Sequence, residues 1–288
     1  MVEQEIKLNY PIAKNHQIIQ ILPQFRPVKR GARKKGIERI YVSKDKKSKA
    51  KIKMFKELDI ADQDLLLAIL AISLPVERGK LLDEESQHQH LLDKLKIEPK
   101  NNFLIQTLMI ETTPHELLKE LGKSATGKSN YKWVFESLER LADTTLYLET
   151  KDFIGNTNLI SYHFDKKTKK LYIALNPLNA IVLLNDKKGY ILNNRKERLS
   201  LKGDVARALH AVLLTLIDNN QSKTFNIEIL IEKVYLTKFD ELNKNQKKDS
   251  KKAIKKALEE INKLDNFQVE IYDNNTVNVK RLFKNKLV

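Results

Sequence analysis

Residues 113–149 read TPHELLKELGKSATGKSNYKWVFESLERLADTTLYLE, and this stretch decides the fold. Thr113 and Pro114 suit the N-cap and first position of a helix, with Leu117, Leu118 and Leu121 on one face. Gly122 suits the left-handed residue that ends a helix. A second helix follows, in which Val134, Leu138 and Leu141 recur at i, i+4 and i+7 with Tyr131 and Phe135 beside them. Leu146 to Glu149 then begins a strand. Helix, turn, helix and strand is the core of a winged helix-turn-helix, a fold whose second helix of the motif enters the DNA major groove.

The same stretch contains Gly122-Lys-Ser-Ala-Thr-Gly127-Lys128-Ser129, which fits the phosphate-loop pattern G-x-x-x-x-G-K-[ST]. That loop requires a buried strand before it, so that backbone N–H groups and the following helix dipole cradle phosphates. His115 to Leu121 has helical spacing and carries charges, so no such strand is expected. A turn between helices, placing Lys128 and Ser129 against DNA phosphates, is the better reading.

The 288 residues suffice for two domains, and the net charge of +16 with a pI near 9.6 favours an anionic partner. Lysine greatly outnumbers arginine, which weakens the inference from charge alone. There is no cysteine, hence no disulfide, thiolate metal site or cysteine nucleophile. Met1 to Tyr10 contains Glu3 and Glu5 and no apolar core, unlike a signal peptide, and no stretch has the length of a membrane helix. A soluble, cytoplasmic chain without membrane contact is expected.

Arg26 to Lys56 holds fourteen lysines and arginines against two acids. It reads either as a solvated basic arm or hairpin, or as an arm along the phosphate backbone with Arg30, Arg33, Lys34 and Lys35 as contacts. Ile37 to Val42 resembles a strand. Asp59 to Leu74 reads as a helix with an acidic start and apolar residues on most sides, ended by Pro75. Residues 76–101 read as a polar connector, and His88 and His90 within it lack a third metal ligand nearby. Phe103 to Thr112 is β-like. After the first wing strand, 155–158 reads as a turn, 159–164 as the returning strand, and 171–175 as a further strand closed by Asn176-Pro177.

The second half repeats the plan. Lys202 to Asp218 and Asn226 to Tyr235 read as helices, and Gln246 to Leu264 as a second recognition helix. Its apolar stripe of Ile254, Leu258 and Ile261 stands at a constant offset of 120 from Val134, Leu138 and Leu141. Its outer face carries Lys247, Lys248, Lys251, Lys252, Lys255 and Lys256. Residues 268–272 and 277–282 form a wing hairpin, with Lys280 and Arg281 as further contacts. The first recognition helix is less basic, so Ser129, Asn130 and Lys132 near its start are its candidate contacts, and Asn130 could read adenine. Trp133 is read as core. The expected class is α+β, tandem winged helix-turn-helix domains: a basic N-terminal arm at 1–56, a first winged helix at 57–176 and a second at 177–288.

Val28-Lys-Arg-Gly-Ala-Arg-Lys-Lys35, the helix-turn-helix at 113–142, Leu171-Tyr-Ile-Ala-Leu-Asn-Pro-Leu178 and Lys202-Gly-Asp-Val-Ala-Arg-Ala-Leu-His-Ala211 resemble RepC, the replication initiator family of IncQ-type plasmids. The resemblance spans roughly 20–282. It implies a protein, monomer or dimer, that binds direct repeats (iterons) of double-stranded DNA at an origin, helps open adjacent DNA and brings in a plasmid-encoded helicase and primase. It implies no catalytic residue, cofactor or metal. Two other classes use the same residues differently: a plasmid or phage transcriptional regulator, and an ATPase built on 122–129.

Overall fold

The computed structural model describes residues 7–29, 31–42, 49–75, 78–82, 88–95, 107–149, 154–184 and 189–282. The chain separates into two compact units, residues 1–25 with 29–195, and residues 26–28 with 196–288.

The first unit is a winged helix with added strands. It runs β1 (Ile12–His16), α1 (Gln17–Ile21), β2 (Lys35–Val42), β3 (Lys49–Lys56), α2 (Ile60–Ile72), β4 (Gly79–Leu82), α3 (Gln89–Lys94), β5 (Thr107–Thr112), α4 (Pro114–Glu120) and α5 (Lys128–Ala142). Then follow β6 (Thr144–Glu149), β7 (Ile154–Asn158), β8 (Ile160–Phe164), β9 (Leu171–Leu175), α6 (Pro177–Leu184) and β10 (Tyr190–Asn194). Asp59 and Asp62 make a reciprocal capping box at the start of α2, so two N–H groups left open by the helix are satisfied at once. Leu65 to Ile72 is buried on every side of α2, as the near-continuous apolar run predicts. α2 packs on β1, α4 and α5.

Strand pairing departs from the expected wing. β6 does not pair with β8. It joins β3 and β7 in an antiparallel sheet ordered β2-β3-β6-β7, and residues 154–158 are strand rather than turn. The wing is β8 and β9, which continue as β4-β5-β9-β8. Asp165 turns that hairpin by accepting from the Lys167 N–H and the Thr168 hydroxyl at 2.8 and 2.7 Å. The hairpin β6–β7 is thus an insertion between recognition helix and wing. The connector read at 76–101 contributes β4 and α3, and Phe103 lies outside the described residues.

Two boundaries also move. Of the expected arm at 1–56, Ile12–His16, Lys35–Val42 and Lys49–Lys56 do not stand apart, because β1, β2 and β3 are strands of the first unit. Asn176-Pro177 is not the division between units, because β10 returns to pair with β1, from Ile12 against Asn194 to His16 against Tyr190. The buried pair Glu120–Arg195 at 2.7 Å fastens this layer to α4. Glu120 also accepts the Asn9 and Tyr10 N–H groups, and Arg195 donates to the Tyr10 and Glu120 carbonyls.

The second unit has the plain winged-helix order: α7 (Arg195–Ser200, its first residue in the first unit), α8 (Asp204–Leu216), β11 (Ser222–Asn226), α9 (Ile227–Tyr235), α10 (Lys244–Ile261), β12 (Phe267–Ile271) and β13 (Thr276–Arg281). Its sheet runs β11-β13-β12. The first unit repeats this in β5-β9-β8, with α2, α4 and α5 standing where α8, α9 and α10 stand. All six residues of the offset stripes are fully buried: Val134, Leu138 and Leu141 in one unit, Ile254, Leu258 and Ile261 in the other.

Candidate nucleic-acid interface

In the first unit the turn between α4 and α5 is fixed by hydrogen bonds of the Schellman type. The Gly122 N–H donates to Lys119 O at 2.9 Å and the Lys123 N–H to Leu118 O at 2.9 Å. Gly122 has φ +63°, where a Cβ would crowd the backbone. It is therefore a helix-ending glycine. The segment before the phosphate-loop pattern is α4, so the strand that such a loop needs is replaced by a helix.

α5 begins at Lys128, with Gly127 as a cap that brings no side chain. The Asn130 N–H of its first turn donates to Gly127 O at 3.0 Å, and the N–H groups of Lys128 and Ser129 precede it at the positive end of the helix dipole, where a phosphate oxygen is favoured. Lys128 and Ser129 are exposed beside them. Asn130 differs from expectation: its Nδ2 donates to Ser124 O at 2.8 Å, so the amide holds the turn and only part of it is left for a base edge. Lys132 is exposed, with Glu136 at 3.8 Å along the helix. Trp133 is half-buried against the core, and Lys123 Nζ stands 5.0 Å from its ring centroid.

The basic residues before β2 divide. Arg30 lies outside the described residues. Lys34 and Lys35 are exposed, and Lys35 opens β2 opposite Lys56. Arg33 is not a backbone-contacting arm residue. Its guanidinium donates to Glu57 O at 2.7 Å, to Asp62 Oδ2 at 2.9 Å and to Asp59. Asp62, fully buried, also accepts from Ser137 Oγ at 2.6 Å and from Arg140. These contacts lock α5 to the start of α2. Burial, then the Asp62 charge, push the Asp59 carboxyl up to about 6 despite Arg33 and Arg140.

In the second unit Asn243 and Gln246 form a capping box that starts α10. The lysines of α10 fall into two rows. Lys247 and Lys251 lie inward, with Nζ atoms 5.1 and 4.9 Å from the Phe239 ring centroid, and Lys251 donates to Glu228 at 2.7 Å. Lys248, Lys252 and Lys256 are exposed and Lys255 half-exposed, and among the described residues these four make no ion pair. Lys280 is exposed on β13. Arg281 is not an outward contact: its Nη1 donates to Ile217 O at 3.1 Å and Leu214 O at 3.5 Å, capping the end of α8. Sequence spacing could not separate the two lysine rows, because it does not show where Phe239 and Glu228 lie.

His88 stacks on Tyr172 and His90 lies edge-on to His163, but among the described residues no group of side chains is arranged to hold a metal. No described helix is long and apolar enough to cross a membrane.

Two winged helices in tandem, each with its third helix buried on one stripe and polar on the other, define a protein of the DNA-binding winged-helix class. The chain belongs to the replication protein C (RepC) family, whose family model matches residues 12–282. No curated protein sequence matches it. Among solved structures it is similar to domains 2 and 3 of RctB, with TM-score 0.56, 10% identity, 90% of this chain and 95% of that one covered. It is also similar to the Pi initiator protein, solved in complex with iteron DNA, with TM-score 0.54, 10% identity, 97% of this chain and 100% of that one covered. At this identity the two likenesses show the fold.

Proposed function

We propose that this replication initiator binds direct repeats of double-stranded DNA at an origin, one monomer per repeat, through α5 and α10. The observation that carries the reading is the shared apolar stripe at an offset of 120, which buries both third helices and leaves their polar faces outward. Two major-groove helices suit an asymmetric site of about 20 base pairs, two turns of duplex. Lys128 and Ser129 would hold phosphates at the start of α5, and Lys248, Lys252 and Lys255 would do so along α10. Copies bound on successive repeats would bend the duplex, at a deformation energy of several kcal/mol, and favour opening of neighbouring DNA. Recruitment of a helicase and primase encoded with the chain completes the proposal, supported by the family resemblance. The test is the affinity for a duplex carrying one direct repeat as salt is raised. A linear fall of log affinity with log salt is expected on the repeat, with much weaker binding of a scrambled duplex at physiological salt. Equal affinity for both duplexes would overturn repeat recognition.

A further inference from the structure

The sheet β2-β3-β6-β7 has one face in the core and one in solvent. Side chains alternate along its strands, so Ala50, Ile52, Met54, Leu146 and Leu148 are buried while their neighbours point outward. Four of the chain's exposed large apolar side chains gather on the outer face: Ile40 (56% exposed), Val42 (49%), Phe55 (61%) and Tyr147 (37%). Between them β3 places Lys49, Lys51 and Lys53 at every second residue, roughly 7 Å apart. Register sets Ile40, Lys51, Tyr147 and Asn156 in one row across the strands. Lys53 Nζ stands 5.2 Å from the Tyr147 ring centroid. Two acids share the face: Glu38 is paired with Lys51 at 2.7 Å, and Glu149 lies opposite Lys49. An open groove of about 660 Å³, lined by Phe55, Asp143, Thr145, Asn158, Tyr162 and Phe164 among others, continues from the face.

Lysines at even spacing among exposed rings match a polyanion whose repeating units carry flat apolar faces. A duplex keeps those faces inside its stack, and rings on an open sheet have nothing there to meet. An unpaired strand offers a base face at every nucleotide, which an aromatic side chain accepts regardless of sequence. A second copy laid face to face would set the three lysines against their own likenesses. We infer that this face binds single-stranded DNA, with Phe55 and Tyr147 stacking on bases and Lys49, Lys51 and Lys53 following the phosphates. The inference rests on the proposed initiator role only for its setting, the strand released when duplex opens.

The full chain is titrated with fluorescent oligo(dT), and in parallel with a duplex repeat. Wild type should bind oligo(dT). Phe55→Ala with Tyr147→Ala should weaken that binding roughly tenfold or more, and leave duplex affinity and melting temperature unchanged, since both rings are exposed. Lys51→Ala with Lys53→Ala should flatten the salt slope for oligo(dT) by about 1.4, two phosphates' worth. Absence of oligo(dT) binding by wild type, or equal binding by the ring variant, would overturn the assignment. So would a wild-type dimer in sedimentation that the ring variant dissociates with oligo(dT) affinity intact. Failure of duplex binding while oligo(dT) binding follows the rings would sink the proposed function and support this face.

Discussion

Asp62 of α2 and Arg140 of α5 form a buried ion pair, with Arg140 Nη2 2.7 Å from Asp62 Oδ1. Neither side chain is more than 7% exposed. Burial works against the Arg140 charge, and the hydrogen bonds and charge of Asp62 outweigh it. The pair sets the roll of the first recognition helix on the core. Because Asp62 also serves Arg33 and Ser137, its loss leaves the Arg140 guanidinium without its carboxylate, while Arg33 keeps Asp59 and the Glu57 carbonyl. Asp62→Asn is expected to destabilise the first unit by about 3–5 kcal/mol in urea denaturation. Combined with Arg140→Met it should cost clearly less than the two single changes added, and strict additivity would refute the coupling.

The rows of α10 should separate on DNA. Lys248→Ala and Lys252→Ala are each expected to reduce the salt slope for duplex by about 0.9, one phosphate contact apiece. Arg281→Ala should leave that slope alone and lower stability by about 1.5 kcal/mol, since it uncaps α8. A slope changed by Arg281→Ala and untouched by the lysine changes would reverse the assignment.

Lys128 tests the phosphate-loop pattern. Because α4, ended by Gly122, occupies the place of the required strand, calorimetry with millimolar ATP should show no saturable binding. Lys128→Ala should weaken duplex binding alike on all sequences, as a phosphate contact does. Saturable nucleotide binding lost in Lys128→Ala would establish the ATPase reading instead.

His210 on α8 gives the second unit a pH dependence. It is fully buried, 5.5 Å from the Phe267 ring centroid, with Glu197 at 3.7 Å. Burial holds its pKa below the usual value, Arg198 and Arg281 act the same way, and Glu197 opposes them. In the unfolded chain the ring takes a proton as pH falls through about 6.5, while the folded ring stays neutral to lower pH. Stability is therefore complete above that pH and declines below it, by up to about 1.4 kcal/mol per pH unit from this group. His210→Leu should flatten the decline measured by thermal unfolding between pH 7 and 5. An unaltered slope would mean another group carries it.

Much of this was legible in the sequence. The N-cap Thr113, the stop at Gly122 and the stripe Val134, Leu138, Leu141 depend on neighbours three or four residues away, and local spacing reads them. Strand partners are set by distant residues, so local spacing suggests β8 as the partner of β6 and does not bring β10 to β1. Lys49-Ala-Lys-Ile-Lys-Met-Phe55 shows the period of two that marks β3, but a run of this charge also suits a solvated arm. Arg33 and Arg281 illustrate the remaining limit. Each stands in a basic run, and only the fold brings Asp59 and Asp62 to one and the end of α8 to the other.

The most direct test of the central claim is a footprint of the full chain on the DNA flanking its own gene. The account predicts a series of protected direct repeats, each about 20 base pairs long and each holding two protected major-groove faces one helical turn apart. Lys248→Ala with Lys252→Ala should clear one half of every repeat and leave the other partly protected. Protection of a single palindrome, or a footprint shrinking evenly from both ends in that variant, would contradict it.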